Sequence, residues 1–227
     1  MQPCKITGGV MKRFAILYLL LVFSQNILLA QLQSGSFEFE GYERNYEVYL
    51  PQNYEANMPL VISIHGITED INWYKSYTLM HEVADTMGFI IVYPQGIGNS
   101  WNAGIVNPNR YFPNVNDVEF ISRLIDTMKS KWDVSLSHVY CCGFSLGGAM
   151  SFRLALELGY RFAAVASVSG PLFGLANSWY PVRTIPILQM HGTSDILIPY
   201  KGEGDRWPVD SMLNFWLEKN QCALEPD

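Results

Sequence analysis

The chain has 227 residues, of which 49% are hydrophobic, 14% aromatic and 16% charged, with a formal net charge of −6 at pH 7. This length suits a single domain, and the composition is too apolar and aromatic for a disordered chain. The acidic balance argues against a nucleic-acid partner, because nucleic-acid binders normally carry a basic patch. The four cysteines are too few for a disulfide scaffold, and they lack the paired CxxC spacing of a zinc site.

Residues 1–30 have the pattern of a secretory signal peptide. Lys12 and Arg13 precede a short apolar stretch that ends in a small residue, and Met11 is an alternative start. Polar residues at 24–26 interrupt the stretch and leave it short for a membrane span, although an uncleaved N-terminal anchor is the alternative. We therefore expect a secreted or periplasmic protein with no membrane attachment once the leader is removed.

Residues 31–227 predict one α/β domain. An antiparallel hairpin is expected first, because apolar and polar residues alternate in 36–40 and 46–50 on either side of Gly41. Continuous apolar runs, typical of strands covered on both faces, follow at 60–64, 89–93, 139–142, 163–168 and 185–190. Helical periodicity occurs at 77–87, 118–132, 146–158 and 212–220. This alternation predicts a mostly parallel sheet with helices on both faces.

The stretch Gly143-Phe144-Ser145-Leu146-Gly147 is the most informative motif. It is a G-x-S-x-G between an apolar strand and a helix, which is the context that a nucleophilic serine of this type needs. The glycines allow a tight turn that exposes the Ser145 hydroxyl, and the Leu146 amide then points at a developing oxyanion. The alternative is a glycine-rich turn with an incidental serine.

Two other loops supply candidate groups for the same chemistry. After the strand 60–64, His65 and Gly66 form a turn that brings the Ile67 amide to the oxyanion hole, and His65 is expected to be a buried residue bonded to backbone. Asp195 lies in the loop after a late strand, where the acid of a Ser-Asp-His triad belongs. It would hold the catalytic imidazole in one tautomer, and an aspartate that caps a turn is the alternative.

Several blocks, taken together, carry a family resemblance. They are His65-Gly66, Tyr93-Pro94, 99–104, Asp117-Val118, 143–148, 161–166 and 191–195. In this order they resemble the secreted polyhydroxybutyrate depolymerase and feruloyl esterase group of α/β-hydrolases. The resemblance implies a serine esterase, without cofactor or metal, that acts on polyesters or on esters of plant cell-wall polysaccharides. It places the nucleophile on Ser145, the acid on Asp195 and Trp101 beside the substrate pocket, with a core tryptophan as the alternative.

The base of the triad is missing from the sequence, because all four histidines precede Asp195. Cys222 is also left without an evident partner. We therefore expect the domain to be C-terminally incomplete, with the last strand of the sheet and the catalytic histidine beyond Asp227. The alternatives are a non-catalytic binding protein on a dead α/β-hydrolase fold and a serine peptidase of the same fold.

Overall fold

The structure, a computed structural model, describes residues 31–105, 114–174 and 181–222, so the predicted signal peptide lies outside the described residues. Within these residues, seven strands make up one sheet: β1 Gln31–Phe39, β2 Tyr42–Leu50, β3 Leu60–Ile64, β4 Ile90–Pro94, β5 Val139–Phe144, β6 Ala164–Val168 and β7 Ile187–Met190. They lie in the order β1-β2-β4-β3-β5-β6-β7. Strands β3 to β7 are parallel to one another, as the continuous apolar runs predicted, and β4 pairs antiparallel with β2 on its other side.

The antiparallel hairpin is confirmed and is longer than the alternation indicated. Strand β1 pairs with β2 along its whole length, from Gln31 opposite Leu50 to Phe39 opposite Tyr42. The residues between the strands, Glu40 and Gly41, both have left-handed backbone conformations, with φ of 50° and 78°. A two-residue turn of this kind matches the twist of the two strands that it connects.

Five α-helices accompany the sheet in the described residues: α1 Ile71–Thr78, α2 Met80–Met87, α3 Asp117–Trp132, α4 Leu146–Glu157 and α5 Val209–Lys219. The prediction of one helix over 77–87 was wrong in its extent. Leu79 adopts a left-handed conformation that separates α1 from α2, and Asp70 caps α1 by accepting a hydrogen bond from the Trp73 amide at 2.8 Å. Asn116 caps α3 by accepting a hydrogen bond from the Glu119 amide.

The main core lies between the sheet and the helices α3, α4 and α5. An ion pair between Arg44 and Asp117, both fully buried, joins β2 to the start of α3 with 2.6 Å between nitrogen and oxygen. The other oxygen of Asp117 accepts a hydrogen bond from the Asn102 amide at 2.7 Å. This pair therefore fixes the loop after β4 against the body of the domain. None of the described helices is long and apolar enough to cross a membrane.

In the part of the chain that the structure describes, the opposite sheet face is only partly covered. Helices α1 and α2 pack on β4 and form a second, smaller core there. Over the neighbouring strands, Phe144, Leu188 and Met190 are 36%, 55% and 50% exposed, and two apolar depressions of about 340 and 400 Å³ lie between these strands and α1 and α2. We call this surface the open sheet face, defined by Tyr140, Cys142, Phe144, Ala166, Val168, Leu188 and Met190. Among the described strands, β7 is the edge strand of the sheet, next to β6.

Candidate active site

Ser145 occupies the sharp turn between β5 and α4. Its φ of 53° and ψ of −119° are strained for a residue with a side chain, and its amide donates to the carbonyl oxygen of Val168 at 2.8 Å. Glycine is required on both sides of this turn, because a Cβ atom at Gly143 would overlap the backbone of Gly147. The strand, turn and helix that the G-x-S-x-G motif predicted are therefore all present.

The two residues predicted to supply the amides of the oxyanion hole line the same cavity as Ser145. Ile67, Leu146 and Ser145 all line a cavity of about 250 Å³. Leu146 is the first residue of α4, so its amide has no partner inside the helix. On either side of Ile67, the Gly66 and Thr68 amides donate hydrogen bonds of 2.8 and 2.7 Å, and the hydrogen bonds of the described residues leave the Ile67 amide without a partner. Both amides are available to a bound oxyanion.

Asp195 is held by the backbone of its own loop. Its Oδ1 accepts hydrogen bonds from the Leu197 and Ile198 amides, both at 2.9 Å. The Ile198 and Leu197 amides, together with His191 and the Ser169 hydroxyl, hold the pKa of the Asp195 carboxyl below its usual range. Asp195 thus caps a turn, as the alternative interpretation had it. Its Oδ2 lies 3.7 Å from His191 Nε2, too far for a hydrogen bond, so it can still accept one from a base.

His65 is fully buried and bonded to backbone, as expected. Its Nδ1–H donates to the carbonyl oxygen of Gly66 at 2.7 Å, and its Nε2 accepts from the Gly96 amide at 3.0 Å. Burial lowers the pKa of His65 to about 4, so the ring is neutral at physiological pH. Its role is to shape the turn that carries the Ile67 amide.

The remaining histidines do not face Ser145 either. All four histidines lie in the described residues, and none of them lines the cavity at Ser145. The Nε2–H of His191 donates to the Ile198 carbonyl oxygen at 2.8 Å, so this nitrogen is engaged by the loop that carries Asp195. His138 precedes β5 and therefore lies at the opposite end of that strand from Ser145. The described residues thus contain a candidate nucleophile and acid without a base between them.

The expectation that Trp101 lines the substrate pocket is not met. Trp101 is fully buried, and its indole N–H donates to the carbonyl oxygen of His65 at 2.9 Å. The two rings pack with centroids 4.9 Å apart. A buried indole N–H needs a hydrogen-bond acceptor, and here the acceptor lies beneath the oxyanion turn. Trp101 is therefore a core residue that supports the turn from behind.

The cavity also contains residues that the sequence did not point to. The described residues that line it are Ile67, Ile105, Ser145, Leu146, Pro171, Phe173, Ile198, Asp205 and Arg206. Pro171 and Phe173 follow β6, so their position after a strand was a signal that could have placed them at this edge of the sheet. Asp205 and Arg206 lie in a turn after β7, and no motif marks them.

Comparisons with known proteins place this chain in a family. Residues 44–198 match the family model described as Esterase PHB depolymerase. The bifunctional acetylxylan esterase/xylanase XynS20E of Neocallimastix patriciarum is 31% identical over 189 residues, which cover 83% of this chain and 26% of that protein. Feruloyl esterase B of Thermothelomyces thermophilus is 31% identical over 160 residues, which cover 68% of this chain and 54% of that protein.

Solved structures share the fold. A thermostable esterase superposes with a TM-score of 0.66 and 17% identity, over 85% of this chain and 53% of that one. The acetyl xylan esterase from Aspergillus awamori superposes with a TM-score of 0.54 and 23% identity, over 63% of this chain and 53% of that one. The chain thus spans about half, or less, of the length of these relatives. It has the predicted α/β-hydrolase fold, and it belongs to the esterase family of PHB depolymerases.

Proposed function

We propose that this chain carries the nucleophile, the acid and the oxyanion hole of a secreted carboxylic-ester hydrolase. One observation supports this function above others: the strained turn at Ser145 opens on a cavity that it shares with the Ile67 and Leu146 amides. A core serine has no need of a strained backbone, whereas a nucleophile that must leave the sheet does.

In the proposed reaction, Ser145 Oγ attacks the ester carbonyl carbon while its proton passes to an imidazole base. The carbonyl oxygen becomes an oxyanion and accepts hydrogen bonds from the Ile67 and Leu146 amides, each worth about 3 kcal/mol of transition-state stabilisation. The tetrahedral intermediate collapses, the C–O bond to the alcohol breaks, and the imidazolium protonates the leaving alcohol. Water, deprotonated by the same base, then releases the acid from Ser145.

The base is proposed to be a histidine outside the described residues, since each of the four histidines of the chain lies away from the Ser145 cavity. Asp195 would accept a hydrogen bond from that histidine and keep its other ring nitrogen free for the Ser145 proton. The low pKa of Asp195 suits this role, because the carboxylate stays ionised and stabilises the imidazolium.

The substrate is proposed to be an ester of a plant cell-wall polysaccharide, in line with the acetylxylan and feruloyl esterases among the relatives. The cavity at Ser145, about 250 Å³ and lined mainly by apolar side chains, suits one acyl group of moderate size. Polyester such as polyhydroxybutyrate is the second substrate class that the family suggests.

The test is covalent labelling of the 227-residue chain with a fluorophosphonate, in the presence and absence of free imidazole. We expect a single adduct on Ser145, formed faster when imidazole replaces the missing base, and no adduct in Ser145→Ala. Ser34→Ala, an exposed serine on β1, is the matched control and should label as the wild type does. Labelling that persists in Ser145→Ala would show that another residue attacks. Failure to label at any imidazole concentration would support the non-catalytic binding protein.

The role of Asp195 is tested by the same rescue in Asp195→Asn. The amide cannot stabilise an imidazolium as the carboxylate does, so imidazole should accelerate labelling far less than in the wild type. With a base built into the chain, the corresponding loss in the serine-protease template is about 10⁴-fold in kcat. Equal rescue in the variant and the wild type would remove Asp195 from the mechanism.

A further inference from the structure

We propose that Arg206 is a specificity-determining residue of the Ser145 cavity, where its guanidinium selects acyl groups that carry an oxygen substituent away from the ester carbonyl. This inference rests on the proposed function, because it assumes that the acyl group occupies the cavity. It adds a property that the nucleophile and the oxyanion hole do not determine, namely which acid the enzyme prefers.

The composition of the cavity wall is the first observation. Of the nine described residues that line it, six are apolar: Ile67, Ile105, Leu146, Pro171, Phe173 and Ile198. Within the part of the chain that the structure describes, the polar side chains of the lining besides Ser145 are those of Asp205 and Arg206. In a mainly apolar pocket, a small number of polar groups fixes the orientation of the ligand and decides specificity.

The position of Arg206 is built into the fold. Its Nη1 donates to the carbonyl oxygen of Leu197 at 2.9 Å, and its own amide donates to the Glu203 carbonyl at 3.1 Å. A β-bridge joins Arg206 to Phe173, which lines the same cavity. The turn before Arg206 is tight, because Gly202 has a φ of 73° and a Cβ atom there would lie 2.7 Å from the Arg206 carbonyl oxygen. The guanidinium is thus held in place before any substrate binds.

The Arg206 guanidinium also has N–H donors that the hydrogen bond to Leu197 does not use. A guanidinium carries five N–H donors and no acceptor, so it seeks oxygen atoms. Glu203 Oε2 lies 3.9 Å from Arg206 Nη1, which is too long for a hydrogen bond. The side chain of Arg206 is 33% exposed, so the remaining donors are reached from the cavity or from solvent. An acyl group with an oxygen at this position would gain a charge-assisted hydrogen bond.

An acyl group without that oxygen would displace water from the guanidinium and leave its N–H donors without an acceptor. A site built around a polar group discriminates more sharply than an apolar pocket for this reason. The contact also touches the catalytic loop, because the Leu197 carbonyl accepts from Arg206 while the Leu197 amide donates to Asp195.

The test compares two amides that the enzyme does not hydrolyse, N-methyl-4-hydroxycinnamamide and N-methylcinnamamide, which differ by one oxygen. Their dissociation constants for the 227-residue chain are measured by calorimetry. We expect the hydroxylated amide to bind about tenfold more tightly, the size of one hydrogen bond to a charged group. Arg206→Met keeps an unbranched, mainly apolar side chain but removes the N–H donors, and the variant should bind both amides equally.

Two further variants make the result specific. Glu203→Gln lies on the same turn outside the cavity lining and should keep the preference, and Arg206→Lys should keep part of it because the ammonium still donates. Equal affinities in the wild type, or a preference that survives in Arg206→Met, would overturn the proposal. Binding requires no turnover, so fluorophosphonate labelling of Ser145 reports separately on the proposed function. Labelling with no preference would refute this inference alone.

Discussion

A Cβ atom at Gly147 would overlap the carbonyl oxygen of Ile64 and lie 2.5 Å from that of His65. The first turn of α4 is therefore pressed directly against the end of β3. This contact sets the distance between the two halves of the oxyanion hole, because Ile67 follows β3 and Leu146 begins α4. The glycine of the motif thus serves the hole as well as the turn at the nucleophile.

Gly147→Ala should accordingly damage both the fold and the site. The neighbouring atoms belong to backbone and cannot rotate away, so the added methyl group should cost about 3 kcal/mol, the upper end for overpacking. Urea unfolding measures this cost, and fluorophosphonate labelling of Ser145 should fall with it. Gly192→Ala is the matched control, since the nearest atom to its Cβ would be 3.9 Å away. A Gly147→Ala chain as stable as Gly192→Ala would contradict the tight packing.

His65 predicts a loss of stability in mild acid. The pKa of His65 is lowered to about 4 in the folded chain, against 6.5 for an ordinary histidine, so the unfolded chain binds more protons between these values. Its contribution to stability is therefore complete above pH 6.5 and is lost as the pH falls towards 4. The difference corresponds to roughly 3 kcal/mol at 1.36 kcal/mol per pH unit.

Urea unfolding of the wild type and of His65→Gln between pH 4 and 7 tests this prediction. The glutamine cannot titrate, so the two curves of stability against pH should converge in acid. If both lose stability in parallel, the effect comes from other groups.

The buried ion pair of Arg44 and Asp117 should contribute strongly to stability. Arg44→Met leaves the Asp117 carboxylate buried without its cation, which typically costs about 3–5 kcal/mol. The guanidinium also lies 3.6 Å above the Phe120 ring, and the methionine side chain replaces only part of that contact. The double variant Arg44→Met/Asp117→Leu should lose less than the single one, because no charge is left alone. It should not reach the wild type, since the Asn102 amide loses its acceptor.

Urea unfolding of Arg44→Met, Asp117→Leu and the double variant gives the coupling free energy between Arg44 and Asp117. A double variant that is less stable than Arg44→Met would show that the lone Asp117 carboxylate is not the source of the loss in stability.

The parts of this structure that follow from local chemistry could be predicted from the sequence. The apolar run 60–64 coincides with β3, and the turn at Ser145 follows from the glycines around it. The helix break at Leu79 could not be predicted, because leucine favours helix and tertiary packing overrides that preference. Trp101 was misplaced for a similar reason, since a tryptophan beside a site and one beneath it occupy the same position in the sequence.

The cavity wall was predictable only in part. Ile67 and Leu146 adjoin motifs whose geometry is fixed locally. Asp205 and Arg206 reach the cavity through a bridge to Phe173, about thirty residues earlier in the chain, and a hydrogen bond to Leu197. Such a long-range approach leaves no periodicity or motif in the sequence, so these residues become visible only in the folded chain.

The open sheet face predicts poor solubility of the described domain and a way to correct it. Leu188 and Met190 are half exposed on β7, whereas Ile187, between Pro186 and Leu188, packs against the main core. Exposed apolar side chains on an outer strand favour association between chains, and lysines on such strands oppose it.

The pair Leu188→Lys and Met190→Lys should therefore raise the solubility limit and change the free energy of unfolding by less than about 0.5 kcal/mol. Ile187→Lys, one position away, should instead cost about 2 kcal/mol or more, because it places a charge at a partly buried position that packs against the core. Static light scattering and urea unfolding of the three proteins test this. If the wild type stays monodisperse at high concentration, or if Leu188→Lys and Met190→Lys destabilise the chain as much as Ile187→Lys, then this face is covered in solution by part of the same chain.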